Sequence, residues 1–99
     1  MKTVEIHPPR GKDLLSAIGE TLRAARNERG LTLRQVAEGA HVSISYLAEI
    51  ERGEKDPSSR VLESVAEGLG MGMGDLLLHI AATLEPKGSE RLVTGKLAA

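Results

Sequence analysis

The chain has no cysteine, no tryptophan, no phenylalanine and a single tyrosine, Tyr46. Without cysteine it can build neither a disulfide framework nor a thiolate metal site, and a reducing cytoplasm suits it. With a single aromatic side chain on which a base could stack, a platform for single-stranded nucleic acid is excluded. No apolar run approaches the roughly 20 residues of a membrane span. The opening MKTVEIHPPRGK also lacks the apolar stretch of a signal peptide. These absences predict a soluble, cytoplasmic chain with no membrane partner. Excess positive charge is missing too: the net charge is −1, and residues 13–84 carry seven basic against eleven acidic side chains. Contact with a polyanion must then rest on a few placed Arg and Lys residues.

What is present is helical spacing. HPPRGK interrupts regular structure before Asp13, so residues 1–12 are expected to form a flexible arm, with KTVEI the one weak strand candidate. Leu15, Ile18, Leu22 and Ala25 then recur at three- and four-residue intervals, and Gly30 stands where a glycine closes a helix. Thr32 and Gln35 have capping-box spacing and open a second helix that buries Val36, Ala37 and Ala40. Ser43 caps a third helix through Glu51, closed by Gly53. After GEKDPSS, Ser58 caps a fourth, which buries Leu62, Val65, Ala66 and Leu69 and ends at Gly68 and Gly70. The fifth starts at Gly72 and carries Leu76, Leu77, Ile80, Ala81 and Leu84 up to Pro86. Short connections between five short helices predict an all-α, compact five-helix domain over residues 13–84 and a flexible tail over 85–99.

The second and third helices meet at Gly39-Ala40-His41-Val42-Ser43 with almost no room for a loop. So sharp a turn makes them cross closely, with Ala37 as the small contact and Val36, Ala40, Val42, Leu47 and Ile50 as apolar support. An ordinary helical hairpin could meet these demands, but the joint spacing favours a helix-turn-helix. On a helical wheel Leu47 and Ile50 mark the core side of the third helix. Ser45, Ala48, Glu49 and Arg52 point away, with Ile44 and Tyr46 on opposite flanks. This outer face is small and sparsely charged, as close approach to a major groove requires. Ser45 can exchange hydrogen bonds with a base edge, and Glu49 can accept from a cytosine amino group or stand as a solvated charge. Ile44 suits a thymine methyl; Tyr46 suits a methyl or a phosphate, or packs partly against the second helix.

Phosphate contacts are expected from helix starts and adjoining loops: Arg34, Ser43, Arg52, Lys55, Ser58 and Arg60. Glu51 lies towards the core side and Arg26 at the edge of the first helix's apolar stripe, so these two are expected to form a partly buried structural ion pair. The fifth helix, about 72–84, spreads Leu76, Leu77, Leu78, Ile80 and Leu84 over more than one face. Leu76, Leu77, Ile80 and Leu84 are accordingly expected at a homodimer interface.

With these residues in view, the segment LTLRQVAEGAHVSISYLAEIERGEKDPSS followed by LESVAEGLGM resembles the phage lambda repressor/Cro-type (XRE family) helix-turn-helix domain. SYLAEIERGEKDPSS resembles in particular the actinobacterial regulators of Clp protease genes. The resemblance spans residues 18–78 and implies base-facing roles for Ile44, Ser45 and Glu49 and an internal pair for Arg26 and Glu51. It further implies a transcription factor acting as a homodimer on a two-fold operator in double-stranded DNA, an activator of Clp protease genes with RNA polymerase as a partner. His41 departs from the pattern, replacing the usual turn glycine. So do Gly72 and Gly74, which stand where a Ser cap and better helix formers are common. The end GKLAA resembles a degradation tag, which would make a Clp-type protease a partner through Leu97, Ala98 and Ala99.

An enzyme is not indicated. His7, His41 and His79 have no ligand-type spacing, no catalytic constellation is visible, and no metal or cofactor is expected. The competing readings are an antitoxin or bridging-type protein-interaction module, favoured by the acidic middle region, and an autorepressor of its own operon.

Overall fold

The computed structural model of the chain describes residues 13–84. The arm 1–12 with its KTVEI segment, and the tail 85–99 with Leu97, Ala98 and Ala99, lie outside the described residues. Five helices follow in order: α1 (Leu14–Glu28), α2 (Leu33–Ala40), α3 (Ile44–Glu51), α4 (Ser59–Leu69) and α5 (Met73–Leu84). Among the described residues there is no strand, so the all-α architecture is as expected, and no helix is long and apolar enough to cross a membrane.

Side chains set where the first four helices begin. Asp13, Thr32, Ser43 and Ser58 have extended backbones and accept the N–H three residues on, from Ser16, Gln35, Tyr46 and Val61 respectively. These bonds satisfy donors that a helix start leaves unpaired. The Ser16 hydrogen bond also holds the Asp13 carboxyl below its ordinary range. Gln35 completes the capping box by accepting the Thr32 N–H at 2.8 Å.

The same four helices end on one recurring turn. Each closes through a left-handed residue: Gly30, His41, Gly53 and Gly70, with φ of 65°, 59°, 77° and 76°. The next residue's N–H then reaches back, from Leu31 to the Arg26 carbonyl (3.1 Å), Val42 to Ala37 (3.0 Å), Glu54 to Glu49 (2.9 Å) and Met71 to Ala66 (2.9 Å). This Schellman arrangement ordinarily brings an apolar side chain at that next position onto the helix it closes. Leu31, Val42 and Met71 pack on or in the core. Glu54 does not; its side chain is exposed.

His41 is the one residue of the four with a side chain to accommodate. Its ring is exposed, and its backbone (φ 59°, ψ 42°) is one that glycine adopts without steric cost. His41→Gly is therefore expected to stabilise the fold by on the order of 0.5 kcal/mol, the relief of left-handed strain slightly outweighing glycine's entropy in the unfolded chain. Urea unfolding measures this, and a clear loss of stability would show that the ring packs.

Leu22, Val36, Leu47, Ile50, Val65 and Leu76 are almost wholly buried at the centre. Around them α2 packs on α4, α5 on α1, and α3 on both α1 and α2, with α4 touching α5. Three expectations need correction. Gly68 does not end the fourth helix but lies inside α4, where an added Cβ would stand 3.0 Å from the Val36 carbonyl oxygen. An added Cβ on Gly39 would in turn stand 3.2 Å from the Gly68 Cα, so backbone meets backbone where α2 crosses α4. This pair of glycines lets α2 pack closely on α4, while Ala37, expected where α2 crosses α3, is buried.

The second and third corrections concern α5. Leu77 and Ala81 are exposed, so neither belongs to its core stripe. Leu76 and Ile80, expected at a dimer surface, are 0% and 5% exposed because they close the core of their own chain. They are withdrawn from any surface offered to a second copy. Leu77 stays on that surface at 47% exposure, Leu78 joins it at 71%, and Leu84 lies half-buried against the core. Three consecutive leucines, Leu76, Leu77 and Leu78, cannot reveal which of them turns inward. The packing against α1 decides it, helped by a hydrogen bond from Thr21 to Thr83 (3.2 Å, hydroxyl to hydroxyl).

Candidate nucleic-acid interface

Three residues, His41, Val42 and Ser43, connect α2 to α3. The left-handed backbone at His41 reverses the chain, Val42 anchors the turn, and the Ser43 side-chain oxygen accepts the Tyr46 N–H at 3.0 Å. The Ser43 hydroxyl proton is left to donate outward from an exposed helix start. Leu47 and Ile50, both 0% exposed, pin the inner side of α3. Its eight residues span about 12 Å at the usual helical rise.

The outer face carries Ser45, exposed, and Glu49, partly exposed. Ile44 and Tyr46 are partly buried against the core edge, so each offers only part of its surface. Hydroxyl, carboxylate and a branched apolar side chain along one short ridge can address hydrogen-bonding and methyl features of base edges in a major groove. Arg34 is exposed in the first turn of α2, and Lys55 in the loop after α3. Ser58 caps α4 through the Val61 N–H at 3.2 Å, and Arg60 is exposed in the first turn of that helix.

Arg52 is engaged differently from its expected role. Its Nε and Nη2 donate to Glu54 Oε2 and Oε1, both at 3.0 Å, a two-pronged ion pair across Gly53. Hydrogen bonding to Glu54 raises the Arg52 guanidinium above its ordinary value, and the same bond holds the Glu54 carboxyl below its own. The sequence offers no helical-wheel signal for this pair, because the left-handed Gly53 brings positions two apart to one side.

The base of α3 is held from α1. Arg26 Nε and Nη2 donate to Glu51 Oε2 and Oε1 at 2.8 and 3.0 Å, while Nη1 donates to the Leu31 carbonyl at 3.1 Å. Arg23 Nε stands 3.7 Å from the same carboxylate. The Glu51 side chain is only 3% exposed, and hydrogen bonding to it raises the Arg26 guanidinium above its ordinary value. Sequence reasoning missed Gly19, which lies where α1 meets the end of α3: an added Cβ would fall 2.4 Å from the Glu51 carbonyl oxygen. Only its place in the buried stripe of α1, next to Ile18, could have marked it. Among the described residues no group of three or more His, Asp or Glu side chains could hold a metal ion.

A family model for the helix-turn-helix domain matches residues 17–80. The transcriptional regulator ClgR of Mycobacterium tuberculosis is 44% identical over 61 residues, which are 62% of this chain and 54% of that protein. The immunity repressor protein of Bacillus phage phi105 is 50% identical over 54 residues, 54% of this chain and 38% of its own. This chain thus spans about half the length of the first of these relatives, and less of the second. The crystal structure of the clp gene regulator ClgR from C. glutamicum superposes with a TM-score of 0.70 at 41% identity, covering 79% of this chain and 99% of that one. These relatives are named as regulators of transcription, of clp genes or of phage immunity, and what this chain shares with them is the helix-turn-helix domain.

Proposed function

The chain belongs to the helix-turn-helix domain family, and on that premise we propose that it is a sequence-specific DNA-binding transcriptional regulator of the cytoplasm. The observation that carries this reading is α3 itself. It is fixed on its inner side by Leu47, Ile50 and Glu51 and presents Ser45 and Glu49, flanked by Ile44 and Tyr46, to the outside. In this reading the helix enters the major groove, where those four side chains face base edges. Arg34, Ser43, Lys55, Ser58, Arg60 and Arg52 set its register on the phosphates. With a net charge of −1, complementarity must supply what bulk attraction does not.

A homodimer suits this role, since two copies read a two-fold operator. Leu77 and Leu78 are large exposed apolar residues on α5 that a second copy would cover. ClgR is described as a regulator of clp genes, and this chain is proposed to act on genes of that class as an activator. Glu38, exposed on α2, is available to touch RNA polymerase. Transcription in vitro from a clp promoter should rise on adding the protein; a fall would identify a repressor instead.

The central test is selection of bound sequences from a random duplex pool. A two-fold symmetric site with half-site centres about 34 Å, or one helical turn, apart is expected. Glu49→Ala should then relax the preference at one base-pair position in each half-site, with a discrimination loss of about 1–3 kcal/mol. Absence of any enriched sequence would overturn the DNA reading in favour of a protein-interaction module.

A further inference from the structure

Resting on the proposed DNA-binding role, we infer that Glu54 is a specificity-determining residue: its carboxylate occupies the fork of Arg52 where a DNA phosphate would sit. The four helix-ending turns supply the first observation. Three of them place an apolar anchor after the left-handed residue, Leu31, Val42 and Met71, whereas the turn that closes α3 places Glu54 there. The Glu54 backbone still makes the closing bond to Glu49, so the turn needs nothing from the carboxylate. The side chain instead takes both Nε and Nη2 of Arg52 at 3.0 Å.

Folding stability does not account for this pair. The Arg52 and Glu54 side chains are 51% and 55% exposed, and exposed ion pairs add little to a fold. Position does account for it. Arg52 follows directly on α3, beside Glu49, which acts on its charge. A guanidinium fork matches a carboxylate and a phosphate with the same geometry. Glu54 therefore competes with DNA for Arg52. On a random duplex, where α3 does not seat, nothing compensates for opening the pair and Arg52 stays with Glu54. On the operator, seating of α3 brings a phosphate close enough to take the fork over. The pair thus suppresses non-specific binding more than specific binding.

The test compares Glu54→Gln with the unaltered full chain on two probes, the selected operator duplex and a random-sequence duplex, across a salt series. On the random duplex the variant should bind about fivefold to tenfold more tightly near 0.1 M salt, with log K against log salt steeper by about 0.9, one added phosphate contact. On the operator the slope should stay unchanged and the gain should be smaller, so the ratio of the two affinities falls. In an Arg52→Ala background Glu54→Gln should no longer steepen the random-duplex slope. Equal gains on both duplexes that persist without Arg52 would overturn the inference in favour of simple charge repulsion. Weaker operator binding by Glu54→Gln would overturn it the other way, making Glu54 a support for Arg52. If Arg52→Ala changes binding to neither duplex, the pair lies off the DNA and the inference fails while the DNA-binding reading stands. That reading fails separately, if the unaltered chain does not prefer the operator.

Discussion

Arg26→Ala is expected to lower the free energy of unfolding by about 3–5 kcal/mol, the range for removing one partner of a buried ion pair. The asymmetry of the pair is the reason. Glu51 has 3% of its side chain exposed and receives two hydrogen bonds from Arg26. Without them its carboxylate keeps, among the described residues, only Arg23, whose Nε is 3.7 Å away on a side chain 55% exposed. The charge would be left with neither water nor a well-placed donor, and desolvation without compensation is what makes such a truncation costly. Arg26 also donates to the Leu31 carbonyl, so the turn after α1 loosens with it. A small domain has about 5–15 kcal/mol of stability in total, so the loss should appear as a large fall in the urea midpoint. Replacing both partners, Arg26→Met with Glu51→Leu, should recover much of it, because the burial cost disappears with the charge. A loss under about 1 kcal/mol for Arg26→Ala would mean that the pair behaves like an exposed one.

That pair, and much of the fold, is legible in the sequence because each signal is local. Thr32, Ser43 and Ser58 cap the helices they precede, since a short polar side chain ahead of an apolar repeat can satisfy only the helix start that follows it. His41 takes the left-handed conformation because the turn has no other residue to reverse the chain. Arg26 and Glu51 stand out as charges on the wrong side of an apolar stripe.

What the sequence conceals depends on contacts that no helical or strand repeat specifies. Gly68 reads as a helix breaker until Gly39 is seen against it, because the same missing Cβ serves a helix end or a backbone crossing. Leu76, Leu77 and Leu78 are chemically alike, and only the docking of α5 on α1 turns the first inward and leaves the other two outside. Arg52 and Glu54 are two residues apart, a spacing that neither helix nor strand brings together. The left-handed Gly53 between them does so. For the proposed groove-facing ridge, the sequence shows which side chains stand on it but not how firmly it is held.

How firmly is decided at Gly19, and Gly19→Ala is the second substitution expected to have a large effect. A Cβ there would meet the Glu51 carbonyl oxygen at 2.4 Å and the Ile50 carbonyl oxygen at 2.6 Å, both backbone atoms of α3. No side chain can swing aside to relieve the contact. The α3 backbone must retreat by about 1 Å to reach the ordinary 3.4 Å contact. Overpacking in a dense core costs typically about 1–3 kcal/mol, and a clash with backbone belongs at or above the top of that range. Gly74→Ala is the control: it lies in the first turn of α5 with nothing within 4 Å of an added Cβ. Alanine's better helix propensity should stabilise the protein there by about 0.5–1 kcal/mol. The functional consequence follows from the same displacement. A base contact of about 2.9 Å stretched by about 1 Å is no longer a hydrogen bond. Gly19→Ala should therefore lose operator affinity beyond the fraction unfolded, at temperatures where the variant is still folded. Binding titrations corrected by circular dichroism separate the two effects. An unaltered unfolding midpoint would show that α1 and α3 can part without cost. Lost stability with full operator affinity in the folded fraction would show that α3 seats on DNA independently of its distance from α1.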